Sequence, residues 1–385
     1  MTRALIIVLD SVGIGAAPDA EKYGDKGSDT LGHIAQAYKN NNLNFSLPQL
    51  ASWGLDQLKP NVYEGKIKQY KASSATLIPE SKGKDTTTGH WEMAGVILEE
   101  PFSTFPDGFS KELLDRLSQE TGYNFIGNKA ASGTVIIEEL GTEHLQKKAP
   151  IIYTSADSVL QIAAHESIFP IDELYRICEI ARKISDDYRI GRVIARPFAG
   201  EPGNFKRTVR RHDYSMDPPR NILNILQDNN IPVTGIGKIK DIFNGSGVGD
   251  SLKIEGNTHG IEVTHQIWKD FKEGLLFVNL VDFDMLYGHR NKWKEYGAAL
   301  MEFDSFLPSL ETICKKDDLI IITADHGNDP TFPGTDHNRE NVPALIYQPE
   351  KNIKHHGNLN SFAVIAASLA KHFGVEYNGP GKSFL

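Results

Sequence analysis

Continuous apolar runs and helical patterns alternate along most of this chain. Unbroken runs of this kind are typical of strands that are buried on both faces of a sheet. Apolar residues recurring at three- and four-residue intervals predict amphipathic helices between them. The predicted strands are Ala4–Leu9, Ile151–Asp157, Arg192–Arg196, Ile231–Ile236, Leu275–Val281, the run that follows Asp318, and Val342–Tyr347. The predicted helices are Glu173–Ser185, Asn221–Gln227, Tyr296–Cys314, Ser361–Phe373 and a short one beginning near Asp29.

Strands that alternate with helices predict an α/β fold with a mostly parallel sheet between two layers of helices. The pattern changes near residue 100 and resumes after Asp217-Pro218-Pro219, whose two adjacent prolines are typical of a linker. We therefore expect one catalytic core domain built from residues 1–99 and 219–385. Residues 100–218 are expected to form an inserted domain.

Composition narrows the class of protein. The chain has 385 residues, of which 40% are hydrophobic and 24% charged, as in ordinary globular proteins. Its net charge of −9 argues against non-specific nucleic-acid binding, although metal ions and a few arginines could still attract an anionic substrate. The two cysteines, Cys178 and Cys314, form no paired motif, and no apolar run reaches the length of a membrane span. We expect a cytoplasmic protein without nucleic-acid or membrane partners.

Acidic residues and histidines follow several of the predicted core strands. The carboxyl ends of parallel strands lie along one edge of a sheet, so side chains there can converge although they are far apart in sequence. A lone pair of this kind is more often structural, but three aspartates and three histidines exceed the ligand set of one closed metal site. The sequence therefore favours a dinuclear hydrolase or phosphotransferase site. Its candidate metal ligands are Asp10, Asp284, His289, Asp325, His326 and His337.

The segment Lys82–Glu92 is predicted to be a loop rich in hydroxyl groups, and it could supply a nucleophile. A threonine hydroxyl is a poor nucleophile at neutral pH, but coordination to a divalent cation lowers its pKa. The alternative is structural, since Asp85 before Thr86 is also a common helix N-cap. From the residues alone, Thr86, Thr87 and Thr88 are equally good choices.

Long motifs in this sequence closely resemble those of the prokaryotic phosphopentomutase family, which belongs to the alkaline phosphatase superfamily. The resemblance extends over nearly the whole chain, and no expected ligand position departs from the family pattern. The motifs are Asp10–Gly15, Gly83–Glu92, Asp282–Asp284 with Gly288–Arg290, Thr323–Asp329, and in the insert Tyr153–Ser158 and Arg211–Tyr214.

The resemblance implies an alkaline phosphatase-like core, an inserted α+β cap domain and two Mn²⁺ ions. One ion would be bound by Asp284, His289 and His337, and the other by Asp10, Asp325 and His326. Thr86 would be the nucleophile and would also bind the second ion. Zn²⁺ or another divalent metal could substitute at Asp/His sites. Asp329 and Asp336 are not expected to be ligands.

The activity that the resemblance implies is interconversion of ribose 1-phosphate and ribose 5-phosphate, and of the 2-deoxyribose equivalents. It would proceed through phosphothreonine and a 1,5-bisphosphate, with a sugar bisphosphate as primer. Small-molecule pentose phosphates would be the partners, and the oligomeric state is left open. The cap would recognise the sugar phosphate, and the expected substrate-binding residues are Asp157, Arg192, Arg207, Arg211 and the core residue Lys238.

Two other functions fit the same residues. The first is another enzyme of the superfamily, either a metal-dependent phosphatase or a phosphoglycerate mutase with a serine nucleophile. The second is a non-catalytic phosphosugar-binding protein on an enzyme scaffold. That second function predicts lost metal ligands, and none is missing.

Overall fold

The computed structural model describes residues 2–155 and 157–385, so Met1 and Ala156, which lies in the predicted strand Ile151–Asp157, are outside the described residues. The chain divides into two compact units. The first, called the core unit below, combines Met1–Glu100 with Pro218–Leu385, and the second, called the insert unit, is Pro101–Asp217.

The core unit contains an eight-stranded sheet in the order β10-β9-β11-β1-β12-β13-β2-β14. Neighbouring strands from β10 to β12 are parallel, and only β13 runs antiparallel to both of its neighbours among the described strands. Every residue of β1, β11 and β12 is buried, as the apolar runs predicted. The strands are β1 (Arg3–Leu9), β2 (Ser73–Ile78), β9 (Val233–Ile236), β10 (Asp250–Leu252), β11 (Gly274–Leu280), β12 (Leu319–Thr323), β13 (Val342–Tyr347) and β14 (His355–Asn360).

Helices of the core unit contact one another in two groups, and together they bury the sheet. The first group is α1 (Thr30–Asn40), α2 (Pro48–Ser52), α10 (Asn257–Asp270) and α11 (Trp293–Thr312). The second is α4 (Thr86–Met93), α8 (Ile222–Asp228), α9 (Ile239–Ile242) and α12 (Val364–Phe373). A short helix, α3 (Leu55–Leu58), packs on β2 and β13. The predicted α/β class, with a mostly parallel sheet between helices, is confirmed.

The insert unit has its own mixed sheet and its own hydrophobic cores. Five strands follow the order β3-β4-β5-β6-β7, and β8 pairs with β6. Two clusters of buried apolar side chains lie in this unit, one containing Leu160 and Ile177 and the other Ile136 and Phe198. Its elements are β3 (Ile126–Ala130), β4 (Ile151–Thr154), β5 (Val159–His165), β6 (Arg192–Ala199), β7 (Lys206–Arg207), β8 (His212–Ser215), α5 (Lys111–Thr121), α6 (Gly133–Lys147) and α7 (Ile171–Asp186).

One local prediction was wrong. The segment Lys82–Glu92 is not a loop throughout, because helix α4 begins at Thr86. Asp85 is its N-cap, and one Asp85 carboxylate oxygen accepts the backbone N–H of Thr88 at 3.0 Å. This bond satisfies a donor that the first turn of a helix leaves without a partner.

The predicted bounds of other elements shift by a few residues at their ends. Helix α12 begins at Val364 rather than Ser361, and α11 begins at Trp293 rather than Tyr296. None of the helices within the described residues combines the length and the apolar character that crossing a membrane requires.

Candidate metal centre

Three neighbouring parallel strands bring the three predicted aspartates to one edge of the core sheet. Asp10 follows β1 directly, and Asp325 lies two residues beyond β12. The sequence predicted that Asp284 lies at a strand end, but it lies in a π-helical turn, Phe283–Tyr287, beyond β11. The acid closest to that strand end, Asp282, instead accepts the backbone N–H of Asn257 at 2.7 Å, at the start of α10.

Asp10, Asp325 and His326 form one potential metal-binding group, called group A below. One ligand atom from each lies within 4.8 Å of the others. The His326 Nε2 atom is 3.5 Å from Asp10 Oδ1 and 3.4 Å from Asp325 Oδ2. All three residues are buried, so the group lies in a region from which bulk water is largely excluded.

Thr86 lies beside group A. Its hydroxyl oxygen is 3.2 Å from His326 Nε2. The hydroxyl of Thr88, by contrast, donates to the Asp85 carboxylate and belongs to the helix cap. Close packing of α4 on the strand end keeps Thr86 there, because a Cβ added at Gly89 would lie 2.2 Å from the carbonyl oxygen of Asp325. Glycine is therefore required at that position of the helix.

A second potential metal-binding group, group B, consists of Asp284, His326 and His337. The Nε2 atom of His337 is 3.3 Å from Asp284 Oδ1, and the Nε2 atom of His289 is 3.1 Å from Asp284 Oδ2. The ring of His337 is centred 4.6 Å from that of His289 and 4.2 Å from that of His326. His326 thus lies between the two groups, whereas the resemblance assigned it to the ion at Asp10 and Asp325 alone.

The histidine orientations suit metal binding through Nε2. The Nδ1 atom of His289 lies 2.6 Å from the carbonyl oxygen of Thr335, and that of His326 lies 3.0 Å from the carbonyl oxygen of Gly327. A carbonyl oxygen only accepts, so each Nδ1 carries the proton and donates. Nε2 then faces the carboxylates and is the atom that would bind a metal ion once its proton is displaced, in the arrangement that metal-binding histidines usually show.

The electrostatics of the site favour a bound cation. Burial raises the pKa of Asp10, and the nearby Asp325 carboxylate raises it further. Burial acts to raise the pKa of Asp284 as well, but the adjacent histidines, foremost His337, hold it well below its usual range. Burial acts to lower the pKa of His326, yet the surrounding carboxylates raise it to about 9. The carboxylates therefore hold positive charge at this place in the fold.

The residues present fit divalent metal ions. Asp10 Oδ1, Asp325 Oδ2 and His337 Nε2 are buried and form no well-directed hydrogen bond among the described residues, although a charged or polar side-chain atom lies within 3.5 Å of each. Buried polar atoms without partners are costly, and ligation of a cation would satisfy all three. Carboxylate oxygens and imidazole nitrogens are ligands suited to Mn²⁺ and Zn²⁺.

The two aspartates that were not expected to bind metal have other contacts. Asp329 accepts the backbone N–H groups of Asp29 at 3.1 Å and Thr331 at 2.9 Å. The Asp336 side chain is 76% exposed and lies 3.8 Å from Lys84 Nζ. Neither residue belongs to either group.

Three of the predicted substrate-binding residues lie on one face of the insert sheet or contact it. Strand register puts Arg192 and Asp213 on the same face, and Arg192 Nη1 lies 3.7 Å from Asp213 Oδ2. Arg211 forms a bidentate ion pair with Asp213 at 2.6 and 2.5 Å. Arg207 lies opposite Phe198 on the neighbouring strand. Arg196, on the same face of β6 as Arg192, was not predicted to bind substrate. Arg196, Arg207 and Arg211 line a pocket of about 310 Å³.

The remaining two predicted substrate-binding residues are solvent-exposed. Asp157 lies in the turn between β4 and β5. Lys238 follows β9, at the same edge of the core sheet as the metal-binding groups, and precedes the short helix α9. Neither side chain forms an ion pair with another described residue, and their roles stay predictions.

The sequence analysis did not predict several residues that contact the metal-binding groups or the segment before Thr86. The Asn328 side chain donates to Asp284 Oδ1 at 2.8 Å, and that of Asn279 donates to Asp10 Oδ2 at 2.8 Å. Arg339 donates to the carbonyl oxygens of Ser81 and Gly83, both at 2.6 Å, in the segment that leads to Thr86. Among these residues, Asn279 could have been noticed in the sequence, because it is a polar residue within an otherwise apolar strand.

The chain is similar to known proteins over nearly its whole length. The family model described as the Metalloenzyme superfamily matches residues 2–377. The PH0037 protein from Pyrococcus horikoshii has a similar structure, with a TM-score of 0.52 and 13% sequence identity over 98% of this chain and 99% of that chain. A phosphoglycerate mutase from Leishmania mexicana, solved at low cobalt concentration, has a TM-score of 0.50 and 11% identity over 99% of this chain and 97% of that chain. At such identities the similarity is one of fold.

Proposed function

The chain belongs to the Metalloenzyme superfamily, and on that premise we propose that it is a phosphopentomutase. It interconverts ribose 1-phosphate and ribose 5-phosphate, and their 2-deoxy equivalents, at a pair of divalent ions, preferably Mn²⁺. The observation that carries this proposal is the position of Thr86, whose hydroxyl oxygen lies 3.2 Å from His326 Nε2, next to group A.

Thr86 is the phosphate carrier in this proposal. Bound divalent cations lower the pKa of the hydroxyl and offset the charge on the transferred phosphoryl group. Thr86 is the first residue of helix α4, where backbone N–H groups and the helix dipole favour a negative charge. These features support a phosphothreonine that persists between turnovers.

The reaction consists of two phosphoryl transfers, each of a different phosphoryl group. Phosphothreonine 86 first donates its phosphoryl group to the 5-hydroxyl oxygen of ribose 1-phosphate, whose proton is released, and a 1,5-bisphosphate forms. The Thr86 oxygen then takes the phosphoryl group from oxygen 1, which gains a proton, and ribose 5-phosphate leaves. A sugar bisphosphate primes the first cycle. Most of the catalysis is positioning and electrostatic stabilisation.

The arginine-rich face of the insert supports a phosphate-bearing substrate. Guanidinium groups match phosphate oxygens in a bidentate manner. We assign Arg192, Arg207 and Arg211 to recognition of the sugar phosphate, with Arg196 as an added member. Asp157 and Lys238 are retained as substrate-binding residues from the sequence analysis.

The test combines mass spectrometry with activity assays. After incubation with a sugar bisphosphate, peptide mapping should find phosphate on Thr86, and the enzyme should convert ribose 1-phosphate to ribose 5-phosphate. Thr86→Ala should lose both properties, while Thr87→Ala, which keeps a hydroxyl at 86, should retain them. Turnover of 3-phosphoglycerate without turnover of ribose 1-phosphate would instead indicate a phosphoglycerate mutase. Net release of phosphate would indicate a phosphatase.

A further inference from the structure

His90 is a fully buried histidine of α4 that contacts both the backbone of Thr86 and group A. It lies four residues after Thr86 on α4, and its ring stacks on Phe277 with ring centres 5.9 Å apart. Its Nδ1 atom is 2.9 Å from the carbonyl oxygen of Thr86 and 3.1 Å from Asp325 Oδ2. Its Nε2 atom is 3.4 Å from the side-chain nitrogen of Asn279.

Asn279 connects His90 to a second carboxylate of group A. It is fully buried within β11, and its side-chain nitrogen lies 2.8 Å from Asp10 Oδ2. A metal-binding carboxylate only accepts hydrogen bonds, so the atom facing Asp10 must be the NH₂ group of the amide. The second hydrogen of this NH₂ group is then available to His90 Nε2.

These contacts fix the tautomer of His90. Because Nε2 accepts from Asn279, the ring proton must be on Nδ1, where it is donated to the carbonyl oxygen of Thr86. The hydrogen bonds therefore run in one direction from a central amide. Asn279 donates to Asp10 and to His90, and His90 donates to the backbone of Thr86.

A purely structural role would not explain where this network ends. A buried amide and a buried imidazole each need partners, and a core could supply them from any backbone group. Here the contacts terminate on Asp10, on Asp325 and on the residue that carries the proposed nucleophile. Groups that orient metal ligands in this way usually tune metal affinity as well.

We infer that Asn279 and His90 are positioning residues that hold Asp10 and Thr86 in a fixed relation, so that a metal ion at group A meets the Thr86 hydroxyl. The inference rests on the proposed function in one respect, the role of Thr86 as nucleophile. Metal binding at group A does not depend on the identity of the sugar phosphate. The two parts can therefore be tested separately.

Near-isosteric variants separate the two ends of the network. In His90→Asn the amide reaches the position of Nδ1 but not that of Nε2, so the bond to Asn279 is lost and the bond to Thr86 can be kept. In His90→Gln the amide reaches the position of Nε2 and the bond to Thr86 is lost. Asn279→Ala removes the amide that orients Asp10.

The first measurement is titration with Mn²⁺ alone, by calorimetry and by electron paramagnetic resonance of bound Mn²⁺. Asn279→Ala and His90→Asn should bind the group A ion roughly 10- to 100-fold more weakly than the unaltered protein, the range usual for such outer partners. His90→Gln keeps the bond to Asn279 but loses the Nδ1 contact with Asp325, so its Mn²⁺ affinity should fall less than in those two variants. It should instead phosphorylate Thr86 more slowly from a sugar bisphosphate, with a lower kcat and little change in KM.

His144 provides a matched control in the insert unit. It is also fully buried, its Nδ1 atom lies 2.8 Å from the carbonyl oxygen of Ala149, and its Nε2 atom accepts the backbone N–H of His165 at 2.8 Å. His144→Gln should lower thermal stability without changing Mn²⁺ affinity. It therefore measures the general effect of altering a buried, hydrogen-bonded histidine.

The outcomes are distinct. Folded variants of Asn279 and His90 that bind Mn²⁺ and phosphorylate Thr86 like the unaltered protein would overturn the inference. If Asn279→Ala does not fold, the two His90 variants decide the question. Weaker Mn²⁺ binding in Asn279→Ala and His90→Asn, together with no turnover of ribose 1-phosphate by the unaltered protein, would refute the proposed function and leave the positioning role intact.

Discussion

Asp304 is a buried carboxyl group outside both metal-binding groups, and its ionisation affects folding. It lies on α11 and accepts the backbone N–H groups of Gln49 at 3.2 Å and Leu50 at 2.7 Å, at the start of α2. Burial raises its pKa from 3.8 to about 6, although the two hydrogen bonds act in the opposite direction. The folded state therefore binds a proton at this site more tightly than the unfolded chain does.

The sign of the pH dependence follows from linkage. A raised pKa in the folded state contributes stability that is complete below pH 3.8 and lost as the pH rises through about 6. Asp304→Asn cannot titrate, so the unfolding free energy of the unaltered protein relative to this variant should fall between pH 5 and 7.5. The change should be on the order of 1 kcal/mol. Urea unfolding across this range measures it.

An exposed aspartate serves as the control for that comparison. Asp317→Asn removes the same charge from the surface and should leave the shape of the stability curve unchanged. Parallel curves for Asp304→Asn and the unaltered protein would contradict the prediction.

At the scale of single residues, the sequence indicated the members of the two potential metal-binding groups better than the residues that contact them. Asp10 and Asp325 follow unbroken apolar runs, so strand ends and acids were visible together. Asn279 and Asn328 form their bonds with residues 269 and 44 positions away, and no local pattern predicts such partners. The choice of Thr86 over Thr87 and Thr88 came from the family resemblance, because adjacent threonines look alike in a sequence.

Among the elements, the segment before α4 depends on one guanidinium group. Arg339 is buried, and besides Ser81 and Gly83 it donates to the carbonyl oxygen of Pro79 at 2.9 Å and to Asp19 at 3.0 Å. Arg339 also follows His337, a member of group B, by two residues. It therefore connects the segment that carries His337 to the start of the helix that carries Thr86.

Replacing this arginine with lysine should destabilise the protein and impair Thr86. Lysine keeps the charge but cannot reproduce a planar fork of five donors, so several carbonyl oxygens would lose their partner. We expect Arg339→Lys to lower the unfolding free energy by on the order of 3 kcal/mol and to slow phosphorylation of Thr86. Denaturant titration and phosphopeptide quantification are the measurements.

Arg220 offers a conservative comparison for the same exchange. Its side chain is 65% exposed and pairs with Asp228 on the surface, so Arg220→Lys should change stability by less than about 1 kcal/mol. Equal losses of unfolding free energy in the two variants would show that the hydrogen bonds of Arg339 to the segment before α4 contribute little to stability.

The elements differ in how well their sequences predict them. β1, β11 and β12 were predictable because strands buried on both faces must be apolar throughout. Helix α4 was anticipated only as the alternative in which Asp85 is an N-cap, because threonine and glycine are poor helix formers and its helicity depends on that cap and on contacts with distant residues. The short strands β7 and β14 are polar or exposed and carry no periodic signal.

At the scale of the whole molecule, the insert unit should fold by itself. Pro101–Asp217 forms one compact unit, and its larger apolar cluster joins residues of α5, α7 and the sheet. We expect a protein of residues 101–217 to unfold in a single cooperative transition and to show dispersed amide signals in NMR spectra. Leu160→Ala, within that cluster, should lower its unfolding free energy by about 2–5 kcal/mol. A broad, non-cooperative transition in the parent protein would contradict this expectation.

The fold class followed from the alternation of strands and helices along the chain. The metal-binding groups could be anticipated only in part, because the position of His326 between groups A and B is a property of the folded chain. Sequence patterns locate strand ends. They do not determine the distances among side chains that the strands bring together.

The position of β1 has a consequence for the order of synthesis. This strand lies between β11 and β12, with Arg3 beside Gly274 and Ala4 beside Leu319, so it leaves the ribosome long before either neighbour exists. At roughly 5–20 residues per second, its partners follow on the order of a quarter to one minute later. During that interval the nascent chain carries an apolar strand with two unpaired edges, which favours association with other chains until residues 274–323 are made.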